Sequence, residues 1–368
     1  MTDQAAEYDK LRFNSHAKHY ILQDYLLPWG QILGKWNAKL NYYDCFAGPG
    51  RYLWKDTPVD GSPIVSLRVC RDLLMSDIKS KPSGIALTFI DEDSGQLSKL
   101  ATEIDKFAGA LPLPVGLDVT LYEYNSQSFV RDLLQRATDL APSFFFIDPY
   151  SHPFSLETMK SIMARSRTEI MLNFMYYQII RDLKNPQKEE LCDAFFFPDK
   201  QKDVIRLFFG HSKFDELKIL EYLHRRIGAR YYIPFWVRFG PDEKVKAHRV
   251  KYFLIHYSNS FTAFELMLST MWKHSDPGHP LSISDGQPVL FPLRGRPELR
   301  YQILEKYGGS GVRLSFEDFI EENWRWYFLE KHYRAVLKEM EKEGKLRVER
   351  VTSQPKRGGL AGKDILVF

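Results

Sequence analysis

The chain has 368 residues, 44% of them apolar, and its 51 basic and 47 acidic residues leave a net charge of +4. That length and apolar share exclude a disordered or collagen-like chain and are enough for one large core or two smaller ones. The mild charge permits a nucleic-acid partner without demanding one, and Cys45, Cys70 and Cys192 are too isolated for a CxxC zinc site or a disulfide framework.

The N-terminus, MTDQAAEYDKLRF, lacks the basic-then-apolar build of a signal peptide, and no apolar run approaches a membrane span. A cytoplasmic protein in a reducing compartment is therefore expected. From Ala17 to Trp36 the residues Tyr20, Ile21, Tyr25, Leu26, Trp29, Ile32 and Leu33 recur at helical spacing, and Pro28 is expected to bend or interrupt that helix. Strand-like runs follow at Asn41–Phe46, Ile85–Asp91, Val119–Tyr124, Phe144–Asp148 and Glu169–Phe174. Helical patterns at Ile64–Met75, Ser94–Phe107, Ser126–Thr138 and Ser155–Arg165 separate them. Such alternation predicts a mostly parallel sheet with helices on both faces.

The charged stretch Gln178–Ile227 is too long for a simple crossover and reads as a helical insertion, about 178–228, over the ligand edge of the sheet. Two β-like runs, Tyr231–Phe239 and Arg249–Ser258, then predict an antiparallel hairpin. This order resembles the class I methyltransferase fold: α/β, Rossmann-like, with seven mostly parallel strands closed by an antiparallel hairpin. The expected first domain is 1–275. A Pro-, Gly- and Ser-rich linker covers 276–297. The second domain, 298–368, has predicted helices at Glu298–Tyr307, Ser315–Trp324 and Glu330–Glu343, then two strands around a basic turn. That order resembles a winged helix with Phe328–Lys342 as recognition helix.

Two stretches carry the chemistry. In YYDCFAGPGRY, Tyr42–Tyr52, a buried strand runs into a glycine turn, and Gly48 and Gly50 let backbone approach a ligand. Asp44 offers a charge-assisted hydrogen bond to an ammonium, with Phe46 and Ala47 in the same turn. In FFFIDPY, Phe144–Tyr150, a second strand ends in a carboxylate, a rigid turn and an aromatic plate. An exocyclic amine conjugated to a ring is a poor nucleophile until acceptors draw its lone pair out of the ring. Asp148 and the Pro149 turn supply such acceptors, and Tyr150 is suited to stack on a flipped base.

Together these imply a methyltransferase using S-adenosylmethionine on a nucleobase. Asp91 or Glu92, at the end of the second strand, would take the ribose hydroxyls. Asn125 would meet the adenine or simply cap the next helix. Lys18 is a candidate substrate-phosphate contact, and Lys345, Arg347, Lys356 and Arg357 form a basic wing for a nucleic-acid backbone. No cysteine follows a proline, which argues against methylation at cytosine C5. No metal is expected.

The leading helix YILQDYLLPWGQIL, the turn YYDCFAGPGRY, Gly61–Pro63, ALTFIDED, FIDPY and the C-terminal unit together resemble the three-Cys-motif partner family of methyltransferases. The resemblance implies a separate cysteine-motif partner protein. The glycine turn is also similar to that of adenine N6 methyltransferases, although those carry two prolines before the aromatic and this chain only Pro149.

Overall fold

A computed structural model of the chain describes residues 13–54, 57–137, 139–149, 154–183, 216–239, 249–277, 279–283, 296–351 and 360–368. The chain divides into two compact units, Met1–His274 with Leu281–Gln287, and Ser275–Pro280 with Pro288–Phe368.

The first unit opens with α1 (Phe13–Gly34), which continues through Pro28, so of the expected bend or interruption the interruption does not occur. An interior proline costs about 3 kcal/mol. Against that, Tyr25, Leu26 and Trp29 around it are fully buried, each contributing about 2 kcal/mol. The Tyr25 hydroxyl and the Trp29 indole N–H also bond the buried Glu169 carboxylate, the latter at 3.0 Å. Tertiary packing outweighs the local breaker.

After α1 come β1 (Lys39–Asp44), β2 (Arg51–Trp54), β3 (Thr57–Asp60), α2 (Ser62–Met75), β4 (Gly84–Asp91), α3 (Ser94–Ala110), β5 (Leu117–Glu123) and α4 (Ser126–Arg136). Next are β6 (Ser143–Ile147), α5 (Leu156–Met163), β7 (Thr168–Phe174), α6 (Tyr176–Leu183) and α7 (Glu216–Ile227). The unit is completed by β8 (Tyr231–Arg238), β9 (Val250–Ser258), α8 (Phe261–Lys273) and β10 (Ser282–Ile283). Most of the predicted insertion, residues 184–215, lies outside the described residues.

The sheet order is β10-β8-β9-β7-β6-β1-β4-β5. β5, β4, β1, β6 and β7 are mutually parallel, while β9 is antiparallel to β7 and to β8. This is a doubly wound α/β sheet with the antiparallel closing hairpin of the class I methyltransferase layout. Among the described residues it has eight strands rather than the expected seven. The extra strand, β10, lies inside the Pro- and Gly-rich stretch and pairs with β8 over two residues, too short to leave a hydrophobic pattern.

β6 is buried at every position and β7 likewise, as parallel strands covered on both faces must be. β5, at the sheet edge, alternates towards solvent. The short hairpin of β2 and β3 was not anticipated; Arg51 bonds Asp60 at 3.1 Å and pairs with the buried Glu103 at 3.3 Å. Helix starts follow side-chain caps: Asp93 for α3, Asn125 for α4 and Ser155 for α5.

The second unit contains α9 (Arg296–Tyr307), β11 (Arg313–Ser315), α10 (Phe316–Glu322), α11 (Glu330–Lys342), β12 (Arg347–Glu349) and β13 (Ile365–Val367). Its strands form an antiparallel sheet ordered β11-β13-β12. Phe319, Leu337 and Leu366 are fully buried in its core. Among the described residues no helix is long and apolar enough to cross a membrane.

Candidate functional site

In a doubly wound sheet the ligand crevice lies at the carboxyl ends of the strands, where the winding reverses. Here the reversal falls between β1 and β6. Asp44 ends β1, in register with Phe146 of β6 and Phe89 of β4, and Asp148 follows the last residue of β6. The chain therefore brings two carboxylates to the switch point.

Asp44 is completely buried, and its carboxyl is raised to about 7, chiefly by burial. The Asp148 charge adds to that rise, while a hydrogen bond with Ser62 at the start of α2, the Phe46 N–H and Lys18 oppose it. The Phe46 N–H and the Tyr42 hydroxyl reach the carboxylate at 3.4 Å, and the Ser62 side chain adds a further hydrogen bond.

Asp148 is shifted the other way. Burial would raise it, but the Lys18 ammonium, the Asn173 amide and the charge of His19 hold it below the usual carboxylate range. Lys18 Nζ bonds Oδ2, and Asn173 Nδ2 donates to Oδ1 at 2.5 Å. Two neighbouring acids pushed in opposite directions mark a site where one is kept ionised and the other is poised to change.

Asn173, at the end of β7, escaped the sequence reading because an asparagine in an apolar strand leaves no pattern. Its Oδ1 is buried without a hydrogen-bond partner among the described residues. Tyr252 of β9 is buried close enough for Asp148 to affect its hydroxyl, after burial itself has raised it well above its ordinary value. Lys18 is not a surface cation awaiting a phosphate: its side chain is 13% exposed and paired with Asp148. Pro149 follows Asp148 directly, whereas Tyr150 lies outside the described residues.

The glycine turn is built as its spacing implied. Gly48 and Gly50 have φ of +62° and +77°, the left-handed region that glycine enters without strain. A Cβ on Gly50 would stand 2.5 Å from Leu100 Cδ1, and one on Gly48 would meet the Tyr52 hydroxyl at 2.6 Å. Ala47 N–H bonds the carbonyl of Ile90 at 3.0 Å, which ties the turn to β4. Cys45 beside it is buried, which pushes its thiol well up and leaves it inert.

Asp91 ends β4 and clasps that turn. Its Oδ2 accepts the Gly48 N–H at 2.9 Å and its Oδ1 the Asp93 N–H at 3.0 Å. Glu92 is exposed and paired with Asn125 Nδ2, while Asn125 Oδ1 accepts the Ser128 N–H at 2.9 Å as the cap of α4. Of the two open acids, Asp91 is thus the one fixed against the glycine turn. This donor and acceptor set fits a nucleoside carrying a cationic amino-acid arm: left-handed glycines at the turn, acids on neighbouring strand ends, and the buried Asp44 at the switch point.

In the second unit, Arg347 pairs with Glu349 at 2.6 Å, Arg350 with Glu341 at 2.9 Å, and Arg313 also with Glu349. Lys345 lies near enough to Glu343 to help hold its carboxyl down, after the hydrogen bond from Arg300. Lys356 and Arg357 lie outside the described residues. Among the described residues no group of His, Cys, Asp or Glu is arranged to hold a metal.

The fold and site define a doubly wound α/β protein with a glycine turn and a carboxylate pair at its switch point. Neither a protein-family model nor a curated sequence matches the chain, so the three-Cys-motif resemblance rests on the motifs alone. Solved structures similar to it include a Legionella pneumophila protein at 12% identity, covering 72% of this chain and 92% of that one with a TM-score of 0.39. A precorrin-6y C5,15-methyltransferase from Geobacter metallireducens is 13% identical, covering 69% and 95%, with a TM-score of 0.33. A SAM-dependent methyltransferase from Agrobacterium tumefaciens is 11% identical, covering 65% and 62%, with a TM-score of 0.33. Likeness this remote assigns no substrate to this chain.

Proposed function

We propose that the chain is an S-adenosylmethionine-dependent methyltransferase acting on an exocyclic amine of a nucleic-acid base, with adenine N6 favoured. The observation that carries the proposal is the Asp148 carboxylate, held ionised near Asp44 at the switch point and accompanied by the orphan acceptor Asn173 Oδ1. A primary amine has two N–H groups to donate, and these are two neighbouring acceptors. A buried acceptor left unpaired costs about 1–3 kcal/mol, which such a ligand would recover.

When bound, the cofactor supplies an electrophilic methyl group on sulfonium. Asp44 would take its ammonium, Asp91 its ribose hydroxyls, with Glu92 and Asn125 towards the adenine and Phe46, Ala47, Gly48 and Gly50 forming the turn. Asp148 accepts an N–H of the substrate amine and draws its lone pair out of conjugation. Because Asp148 stays ionised, it orients the amine, and the methylated amine gives its proton to solvent. Tyr150 would stack on the base.

The second unit supports a winged-helix reading through its order of helix, strand, two helices and two strands, with the last strand central. A cysteine-motif partner protein belongs to the same proposal, from the family resemblance. One observation favours a second reading, a methyltransferase for a small molecule or protein amine. Arg313, Arg347 and Arg350 are already ion-paired, and to contact phosphate each must exchange a carboxylate.

The test is methyl transfer from radiolabelled S-adenosylmethionine into separate pools of DNA, RNA, protein and small molecules. Label in a nuclease-sensitive pool supports the base amine. Label only in protein or small molecules moves the assignment to the second reading, and cofactor binding without label in any pool rejects turnover by the chain alone.

A further inference from the structure

Two side chains from distant parts of the chain grip Asp148, and neither belongs to the Asp-Pro-Tyr turn. Lys18 reaches its Oδ2 from α1, and Asn173 reaches its Oδ1 from β7. Lys18 and Asp148 are 13% and 15% exposed and Asn173 is 4% exposed. An ammonium withdrawn that far from water is tolerated only where a well-placed carboxylate repays its desolvation. Bonds to both oxygens also fix the rotation of the carboxylate, which a single partner would leave free.

α1 is itself anchored to the sheet close to this point. Tyr25 and Trp29 of α1 bond Glu169 of β7, and His256 of β9 meets the same carboxylate at 2.8 Å. β7 thus carries both the anchor for α1 and, four residues on, Asn173. Lys18 is delivered to Asp148 by a helix that cannot slide without breaking a buried network.

We propose that Lys18 and Asn173 are positioning residues of the acceptor site, holding Asp148 as a rotationally fixed anion that receives an N–H from the substrate amine without taking its proton. This rests on the reading of Asp148 given above. The charged and titratable groups that act on Asp148 are Lys18 and His19 of α1, Asp44 of β1 and Tyr252 of β9, with the neutral Asn173 of β7. Lys18 and His19 favour the anion. Asp44 opposes it once ionised, and Tyr252 stays neutral. Without Lys18, burial and Asp44 both favour protonation.

The experiment is a 13C titration of the full chain labelled at aspartate carboxyls, with Asp148 assigned by its disappearance in Asp148→Asn. In the wild type Asp148 stays ionised to the acid limit of the folded protein. In Lys18→Met its midpoint rises by about one pH unit or more, a tenfold change in the ratio of anion to acid, and in Lys18→Arg it stays low. With saturating cofactor, Lys18→Met also loses more kcat at pH 6 than at pH 8. An unchanged midpoint in Lys18→Met overturns the proposal.

Should Lys18→Met not fold, the wild type decides. The Lys18 15Nζ resonance, assigned with Lys18→Arg, must move in Asp148→Asn, and a resonance that does not move overturns the clamp. Failure of the functional reading looks different: the titration behaves as expected, yet Asp148→Ala transfers methyl groups at the wild-type rate.

Discussion

If Asp44 takes the cofactor's ammonium as proposed, binding of S-adenosylmethionine should tighten with rising pH through neutrality, because the pairing needs Asp44 ionised. Burial first, then the neighbouring Asp148, raises Asp44 from 3.8 to about 7, so below neutrality most molecules carry it as a neutral acid. Each pH unit below 7 leaves about tenfold less carboxylate, and the affinity falls about tenfold with it. The same shift acts on the stability of the free protein. The native state retains a proton that the unfolded chain releases above 3.8, so this contribution is complete at low pH and is lost as pH rises through about 7. Over those roughly three pH units it amounts to about 4 kcal/mol. Calorimetric titration between pH 5.5 and 7.5, in buffers of different ionisation enthalpy, counts the proton released on binding. Asp44→Asn should bind weakly with no pH dependence, and its urea-unfolding free energy should lose the decline towards neutral pH. A flat wild-type binding profile, or a slope that survives in Asp44→Asn, refutes this account of Asp44.

Gly50→Ala combines a left-handed backbone with a Cβ 2.5 Å from Leu100, and a loss of about 2–4 kcal/mol should appear in urea denaturation with weakened cofactor binding. Glu169→Ala strands the buried partners Tyr25, Trp29 and His256, and should cost about 3–5 kcal/mol in the same assay. With Asp91 as the proposed ribose ligand, Asp91→Asn should weaken cofactor binding about tenfold or more through the loss of charge on a carboxylate that also accepts the Gly48 N–H, whereas Glu92→Gln should weaken it by less than threefold. Equal effects would place the ribose on Glu92 as much as on Asp91.

The parallel sheet was legible because β-like and helical periods alternate cleanly, and the buried run Phe144–Ile147 could belong only to a covered strand. The glycine turn was legible from its spacing, and Gly48 and Gly50 adopt the backbone that makes glycine necessary there. Asp148 stood out because a carboxylate and a proline break an apolar run. Its partners did not: Lys18 is one lysine in a helix and Asn173 one amide in a strand, 130 and 25 residues away, and only the packing of α1 and the register of β6 with β7 unite them with Asp148. Local reading overrated Pro28, since helix-breaking is a local effect and the Glu169 network is not. The pair of Arg350 with Glu341 was not legible either, because the two become neighbours only once α11 and the second sheet have formed.

The role of Asp148 is tested by comparing wild type with Asp148→Ala for cofactor affinity and single-turnover methyl transfer to the substrate pool that takes up label. Removal of one fixed polar group aimed at a developing charge lowers such steps on the order of 10²–10³-fold. A fall of that size is expected, with cofactor affinity changed less than threefold. Near-normal transfer by Asp148→Ala would contradict it.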